Sequence, residues 1–389
     1  MKVLIVAEYY PRAGDAVLGV WAHRQALAAR DAGGEVQVLV LHRPLPPLAA
    51  LRSGDARRAR AAIRQPRRAM LDGIEVRYLR YLSPPRPWSY QAWGAWAAPV
   101  LAPALRLARR RFAFDLIHAH YAVPAGDAVR RAVPSAPVVL SVHGHDVQGA
   151  GAGGRNVRAA LAHAGLVLAN SAGTAERCLT LGAQATRVVH LGTDLPRQPG
   201  PRPPTPTLVT VAHLAERKRH ADVIAALALL RGRHPGLRYV IVGDGPERER
   251  LQELARSLVV DDLVELRGQL PHERAVEAAR SGTLFVLPSV DEAFGVAYVE
   301  AMAGSVPAIG CRGEDGPEEI SSSGGGIALI PPGDPGALAA LIDGLLRDPG
   351  RLEALGREAR ATVEREFTWS ACGRDTVDAY AEALSARRG

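Results

Sequence analysis

The stretch LPRQPGPRPPTP, residues 195–206, holds six prolines in twelve positions, and neither a helix nor a central strand can run through it. It divides a chain that otherwise alternates short apolar runs with longer amphipathic ones. Before it, KVLIVA (2–7), EVQVLVL (35–41), DLIHAH (115–120), PVVLSV (137–142), LVLAN (166–170) and RVVHL (187–191) read as buried strands, with Ala/Arg-rich helical segments between several of them. After it the pattern restarts with TLVTVA (207–212), LRYVIVG (237–243), LVELRG (263–268), TLFVLPS (283–289), VPAIG (306–310) and IALI (327–330). Strands that alternate with helices make parallel sheets covered on both faces. The predicted class is α/β, with two doubly wound Rossmann-like domains facing one another across a cleft, and ligands of such sheets bind outside the carboxyl ends of the strands. The expected boundaries are 1–195 for the first domain, 196–206 for a stiff linker and 207–366 for the second domain. The amphipathic tail 367–389 is expected to pack back across both.

A chain of 389 residues with 47% hydrophobic content has material for two cores. Its three cysteines, Cys178, Cys311 and Cys372, are odd in number and lack metal-ligand spacing, which fits a reduced cytoplasmic protein without a disulfide framework. The apolar run VLIVA is too short for a signal peptide, and nothing approaches the length of a membrane span. The net charge of +8 would suit nucleic acid, anionic lipid or nucleotide phosphates, and does not choose among them. Two of the 48 basic residues are lysines, Lys2 and Lys218, so arginine abundance carries little weight and a retained lysine carries more.

The segment PSVDEAFGVAYVEAMAGSVP, 288–307, sets two carboxylates in surroundings built for burial. A buried strand ends at Pro288, Gly295 permits a turn, and a helix follows, placing Glu292 in the loop and Glu300 about one turn into the helix. The first N–H groups there, at Gly295 and Val296, make an anion site suited to a diphosphate. The alternative is that Glu292 caps the helix electrostatically while Glu300 is solvated. Lys218 lies in the approach to a helix, where it could neutralise a departing phosphate or form an exposed basic face with Arg217 and Arg219. The turn Gly243-Asp244-Gly245-Pro246 is common α/β punctuation. The cluster His143-Gly144-His145-Asp146 ends a strand; no third group at ligand spacing supports a metal, and sugar contacts fit it better. Gly19, between a strand and a helix, suits close backbone approach to phosphate or sugar, but no dinucleotide fingerprint surrounds it.

In this order the motifs resemble the retaining glycosyltransferases of family 4, which have the two-Rossmann-domain GT-B fold. The resemblance runs from the Gly19 loop through HAHYAVPAG (118–126), HGHD (143–146), NSAGTAERCLTLG (170–182), HLGTD (190–194), the Lys218 loop, GDGP (243–246) and LPSVDEAFG (287–295) to the pair Glu292 and Glu300. It implies a first domain on the acceptor side and a second that binds a nucleotide sugar, UDP- or GDP-linked. It further implies that Glu292 contacts the transferred sugar, Glu300 the ribose hydroxyls and Lys218 the diphosphate, with His143 near the reacting centre. Asp146 and His120 fall to the acceptor or sugar, and Gly243, Gly245 and His213 to the donor. No cofactor and no metal is expected. Many members carry an arginine where this chain has His213, so phosphate binding is expected to be weaker or more pH-dependent, an imidazole being only partly charged at neutrality. A usual double glycine reads Leu18-Gly19, and AGSVP (303–307) lacks the glycine that normally precedes Val-Pro.

The implied reaction moves a glycosyl group to an acceptor hydroxyl with retained configuration. A sugar-nucleotide epimerase or a phosphorylase of the same architecture is the rival within enzymes, and a basic nucleic-acid-binding protein the rival outside them. The aromatic content of 5%, without basic-aromatic interleaving around the site motifs, argues against nucleic acid. Residues 52–68 hold seven arginines against one aspartate, and 84–96 hold three of the five tryptophans. Together 52–96 read as a contact for an anionic membrane surface, at the inner face, serving a glycan or lipid-linked acceptor. A solvated basic helix beside ordinary core aromatics is the plainer alternative.

Overall fold

A computed structural model gives the fold and describes residues 1–45, 63–133, 135–144, 146–148, 154–200 and 203–386. The chain forms two compact units, residues 1–191 with 369–389, and residues 192–368.

The first unit is built on a sheet of eight strands: β1 (Lys2–Ala7), β2 (Glu35–His42), β3 (Arg68–Leu71), β4 (Ile74–Arg80), β5 (Leu116–His120), β6 (Val138–Val142), β7 (Leu166–Ala169) and β8 (Thr186–Val188). Their order is β3-β4-β2-β1-β5-β6-β7-β8. All neighbours are parallel except β3 and β4. That hairpin was not anticipated, although its signal is present: two apolar runs flank Asp72-Gly73, whose φ values of 46° and 82° are those a tight two-residue hairpin turn requires. It caps the edge of a sheet whose other strands need helical crossovers.

Strand β1 shows why the unit needs two covers. Val3, Ile5 and Ala7 point to one face, Leu4 and Val6 to the other, and all are fully buried. The Leu4 face packs on helix Trp93–Arg111 through Ala97, Leu101 and Leu105. The Val3 face packs on Ala22, Ala26 and Ala29 of helix Val20–Asp31 and on Cys372, Ala379, Tyr380 and Ala383 of helix Trp369–Ser385. The tail expected to lie across both halves is thus a core element of the first unit. Small residues let these two helices approach closely, with Gln25 Nε2 donating to Thr376 Oγ1 at 3.1 Å. A fully buried Val, Leu or Ile side chain contributes about 1.5–3 kcal/mol, so neither face could be left to water.

The second unit holds β9 (Thr207–Val211), β10 (Arg238–Val242), β11 (Val264–Gly268), β12 (Leu284–Val286), β13 (Ala308–Cys311) and β14 (Ile327–Ile330). Their order is β11-β10-β9-β12-β13-β14, all parallel, which is the doubly wound arrangement with its reversal between β9 and β12. The first sheet reverses in the same way between β1 and β5. The division between units falls at Leu191, earlier than the proline-rich stretch. Thr193 N donates to Phe367 O at 2.9 Å, and Arg360 Nη2 to Pro196 O at 2.9 Å, so the start of that stretch is bound into the second unit. Among the described residues no helix is long and apolar enough to cross a membrane.

At Gly373 an added Cβ would stand 2.2 Å from Ala28 O, closer than any real contact. Gly373→Ala is expected to destabilise the first unit by about 1–3 kcal/mol through overpacking. Circular dichroism and fluorescence melts should show the transition of that unit move while the transition of the second stays put.

Candidate active site

In the second unit the loops that follow β9 and β12 flank the point where the sheet reverses, which is where open α/β sheets form a crevice. Lys218 ends a single helical turn, Glu216–Lys218, and Arg219 then takes a left-handed φ of 54° before helix His220–Leu230. From the β12 side, Val290 N donates to Arg217 O at 2.8 Å and fastens the two loops together. Lys218 Nζ is bonded to Glu292 Oε2, and both side chains are largely buried, at 12% and 9% exposure. Ser289 Oγ donates to the same carboxylate oxygen at 2.8 Å, and the Glu292 backbone N–H donates to Glu314 Oε2 at 2.9 Å. Burial alone would raise the Glu292 carboxyl; the Lys218 ammonium, the bonds from Lys218 and Ser289, and the Arg217 charge outweigh it and hold the group below its ordinary value.

Glu300 lies in the short helix Val296–Met302 and is only 7% exposed, so it is not the solvated residue of the plainer reading. His272 Nε2 stands 3.8 Å from its Oε1. Gly295, with φ 77°, opens this helix and meets the ring of Tyr298, which an added Cβ would touch at 2.5 Å. The loop after β10 is zipped to the loop after β9: Leu214 N donates to Asp244 O at 3.0 Å and Glu247 N to Leu214 O at 3.1 Å. That closeness explains both glycines of the turn, since Cβ atoms at Gly243 and Gly245 would lie 1.9 Å from Ala212 O and 2.5 Å from Leu214 O. The His213 ring lies against Gly245.

In the first unit, Gly19 has φ 67°, and its close approach is to the chain itself: an added Cβ would lie 2.2 Å from the Tyr9 carbonyl carbon. The carboxyl ends of β5 and β6 bring three histidines together. His118 Nδ1 meets Tyr380 Oη at 2.7 Å and its Nε2 meets Ser141 Oγ at 2.7 Å. His120 Nδ1 meets His143 Nε2 at 3.1 Å. Burial pushes His118 and His143 down to about 3, helped at His118 by its histidine neighbour, and carries His120 well down, so all three rings are neutral near pH 7. His120 is fully buried, and its link to the site runs through His143, beside Trp21 and Tyr121. Asp146 is 7% exposed; its Oδ1 accepts from Ala122 N at 3.2 Å, and burial pushes the carboxyl up to about 7 against the bonds from backbone N–H groups. His145 and residues 46–62, which include most of the arginine-rich run, lie outside the described residues. Among the described residues no group of three His, Cys, Asp or Glu could hold a metal ion.

Ser289, Glu314, His118, Ser141 and Tyr380 were not singled out from sequence. His118 and His120 are two apart on one strand and therefore share a face, a signal that was legible. The partnership of His118 with Tyr380 was not, because 262 positions separate them.

A family model for glycosyl transferases group 1 matches residues 193–362, and one for Glycosyltransferase Family 4 matches residues 18–197. The exopolysaccharide phosphotransferase SCO2592 of Streptomyces coelicolor is 33% identical over 54% of this chain, and the match spans 22% of that protein. A glycogen synthase of Mycobacterium tuberculosis is 28% identical over 71% of this chain and 70% of its own length. Sucrose-phosphate synthase of Thermosynechococcus elongatus superposes with a TM-score of 0.79 at 20% identity, over 99% of this chain and 100% of its own. Anabaena HepE in complex with UDP-glucose superposes at 0.71 and 20% identity over the same shares, so two Rossmann-like domains are the fold of this chain.

The buried pair predicts a specific pattern of stability. Lys218→Met leaves the buried Glu292 carboxylate without its ion-pair partner, a loss of about 3–5 kcal/mol, whereas Lys218→Met with Glu292→Leu removes both charges and should regain most of it. Urea titration of the two variants measures this, and equal losses in both would contradict it.

Proposed function

Since this chain belongs to glycosyltransferase family 4, the group 1 glycosyl transferases, we propose that it is a retaining hexosyltransferase acting on a nucleoside-diphosphate sugar. The acceptor is a hydroxyl on a glycan or lipid-linked glycan, in the synthesis of an envelope polysaccharide or glycolipid. The observation that carries this reading is the Lys218–Glu292 pair at the reversal of the second sheet. A buried cation and carboxylate that hold each other suit a site where a diphosphate takes over the cation and sugar hydroxyls take over the carboxylate.

In this reading Lys218 neutralises the diphosphate, Glu292 holds the transferred sugar and Glu300 the ribose hydroxyls. Gly243, Gly245 and His213 form the loops beside the donor, and the N–H groups of Gly295 and Val296 face it. On the first unit, His143 and Asp146 form the acceptor-side site. The bond from the sugar's anomeric carbon to the diphosphate oxygen breaks while the acceptor oxygen bonds to that carbon on the same face. The departing diphosphate oxygen takes the acceptor's proton, and the Lys218 ammonium stabilises the charge that develops there. No metal and no further cofactor is needed, and UDP or GDP is the favoured carrier, in keeping with the UDP-glucose that HepE holds.

Thermal shifts with UDP and GDP and their sugars test the donor. A ligand at about 100 times its Kd adds roughly 2.7 kcal/mol. One base should shift the melt of the wild type, and much less that of Lys218→Ala or Glu300→Ala; no shift with any nucleotide sinks the reading. Transfer with the donor's anomeric configuration kept separates it from epimerisation and phosphorolysis.

The protein works in the cytoplasm, at an anionic membrane face reached through residues 52–96. Leu82, Trp88 and Trp96 support this, exposed to 64%, 79% and 51%, whereas Trp93 belongs to the core. The three cysteines are buried free thiols, which suits a reducing compartment. Wild type should co-sediment with phosphatidylserine vesicles, and Trp88→Ser with Trp96→Ser should not; binding that ignores lipid charge would remove the electrostatic part.

A further inference from the structure

Two neutral imidazoles joined nitrogen to nitrogen share one proton, so one ring donates an N–H and the other accepts it. In the first unit that contact is His120 Nδ1 to His143 Nε2, at 3.1 Å with the ring planes 10° apart. His120 Nε2, the far nitrogen of the inner ring, is buried and has no partner among the described residues. If the shared proton belonged to His143, His120 would carry its own proton on Nε2, a buried N–H with no acceptor among the described residues. If it belongs to His120 Nδ1, Nε2 is a bare nitrogen. Orphaned buried donors are the rarer defect, so the second arrangement is favoured. His118 adds a constraint: held at both nitrogens by Tyr380 and Ser141, its ring lies 4.3 Å from that of His120 and limits its rotation.

We propose that His120 is a positioning residue that donates from Nδ1 to His143 Nε2 and so fixes His143 as its Nδ1–H tautomer. His143 then offers substrate a hydrogen-bond donor, and it does not act as a base. Burial works in the same direction by keeping the rings uncharged. The hydroxyl oxygens of a sugar are acceptors that such a donor fits. The histidine of this pair that reaches substrate thereby has its proton placed by one that does not, and Tyr380, on the last helix of the chain, braces the arrangement through His118. The meaning for sugar transfer rests on the glycosyltransferase reading; the position of the proton does not.

The test is nuclear magnetic resonance of the full chain with isotope-labelled histidine nitrogens at neutral pH, the His143 signals being assigned by their loss in His143→Gln. Expected for His143 is a protonated Nδ1 and a bare Nε2. In His120→Asn, whose amide N–H occupies the place of Nδ1, that pattern should persist. In His120→Leu it should give way to a mixture of tautomers. An Nε2–H form of wild-type His143, or a His143 unchanged by His120→Leu, overturns the proposal, and the wild-type spectrum decides alone should the leucine variant not fold. Nucleotide release from whichever UDP- or GDP-sugar shifts the wild-type melt supplies the second readout: about tenfold lower kcat in His120→Leu with KM unchanged, restored in His120→Asn. An Nδ1–H pattern in a wild type that releases nucleotide from none of the UDP- and GDP-sugars would sink the sugar-transfer reading and leave the tautomer standing.

Discussion

A parallel sheet has no face that can be left to water, and much of this molecule follows from meeting that demand twice. In the second unit the covering helices come from the crossovers that link the strands and from helices Pro335–Arg347 and Pro349–Glu366, which follow the last strand directly. In the first unit, part of one face is covered by helix Trp369–Ser385, which comes after the whole second unit in sequence. Alanines on helix Val20–Asp31 and Gly373 opposite them are the consequence, because two helices that share one sheet face must lie close. The core of the first unit is therefore assembled from segments that lie on either side of the second unit in sequence.

Winding sets where chemistry can sit. Each sheet reverses direction once, between β1 and β5 and between β9 and β12, and strands that diverge there leave their carboxyl-end loops room to hold polar groups. In the second unit that room holds Lys218 and Glu292, an ion pair whose desolvation is expensive and which Ser289 helps to satisfy. In the first it holds His143, Tyr121 and Trp21 over a floor of His118 and His120. The two sites meet burial differently. The second keeps its charges and balances them, with Glu292 held ionised by its partners; the first gives charge up, with its histidines held neutral and Asp146 raised.

The glycines of the site loops show how much of a binding-loop pattern is scaffold. Gly19, Gly243 and Gly245 each meet the chain's own backbone, at Tyr9, Ala212 and Leu214, so their first task is to let loops pass each other. Gly295 likewise makes room for the Tyr298 ring beneath Glu292. Such contacts hold the loops in place, and a ligand then meets N–H groups and side chains whose positions are already set.

Sequence by itself determined the alternation of strands and helices, the break near the proline-rich stretch, and the placing of Glu292 in a loop and Glu300 in the helix after it. All of these depend on periodicity and on glycine and proline, whose effects are local. The hairpin β3–β4 was equally local, and Asp72-Gly73 announces it. Tertiary structure alone decided which distant groups became partners: Lys218 with Glu292, 74 positions on, and His118 with Tyr380, 262 positions on. It also decided that Glu300 is buried and that the last helix belongs to the first unit. Strand order and helix docking make those choices, and a pattern of apolar residues states which face is buried without stating what buries it.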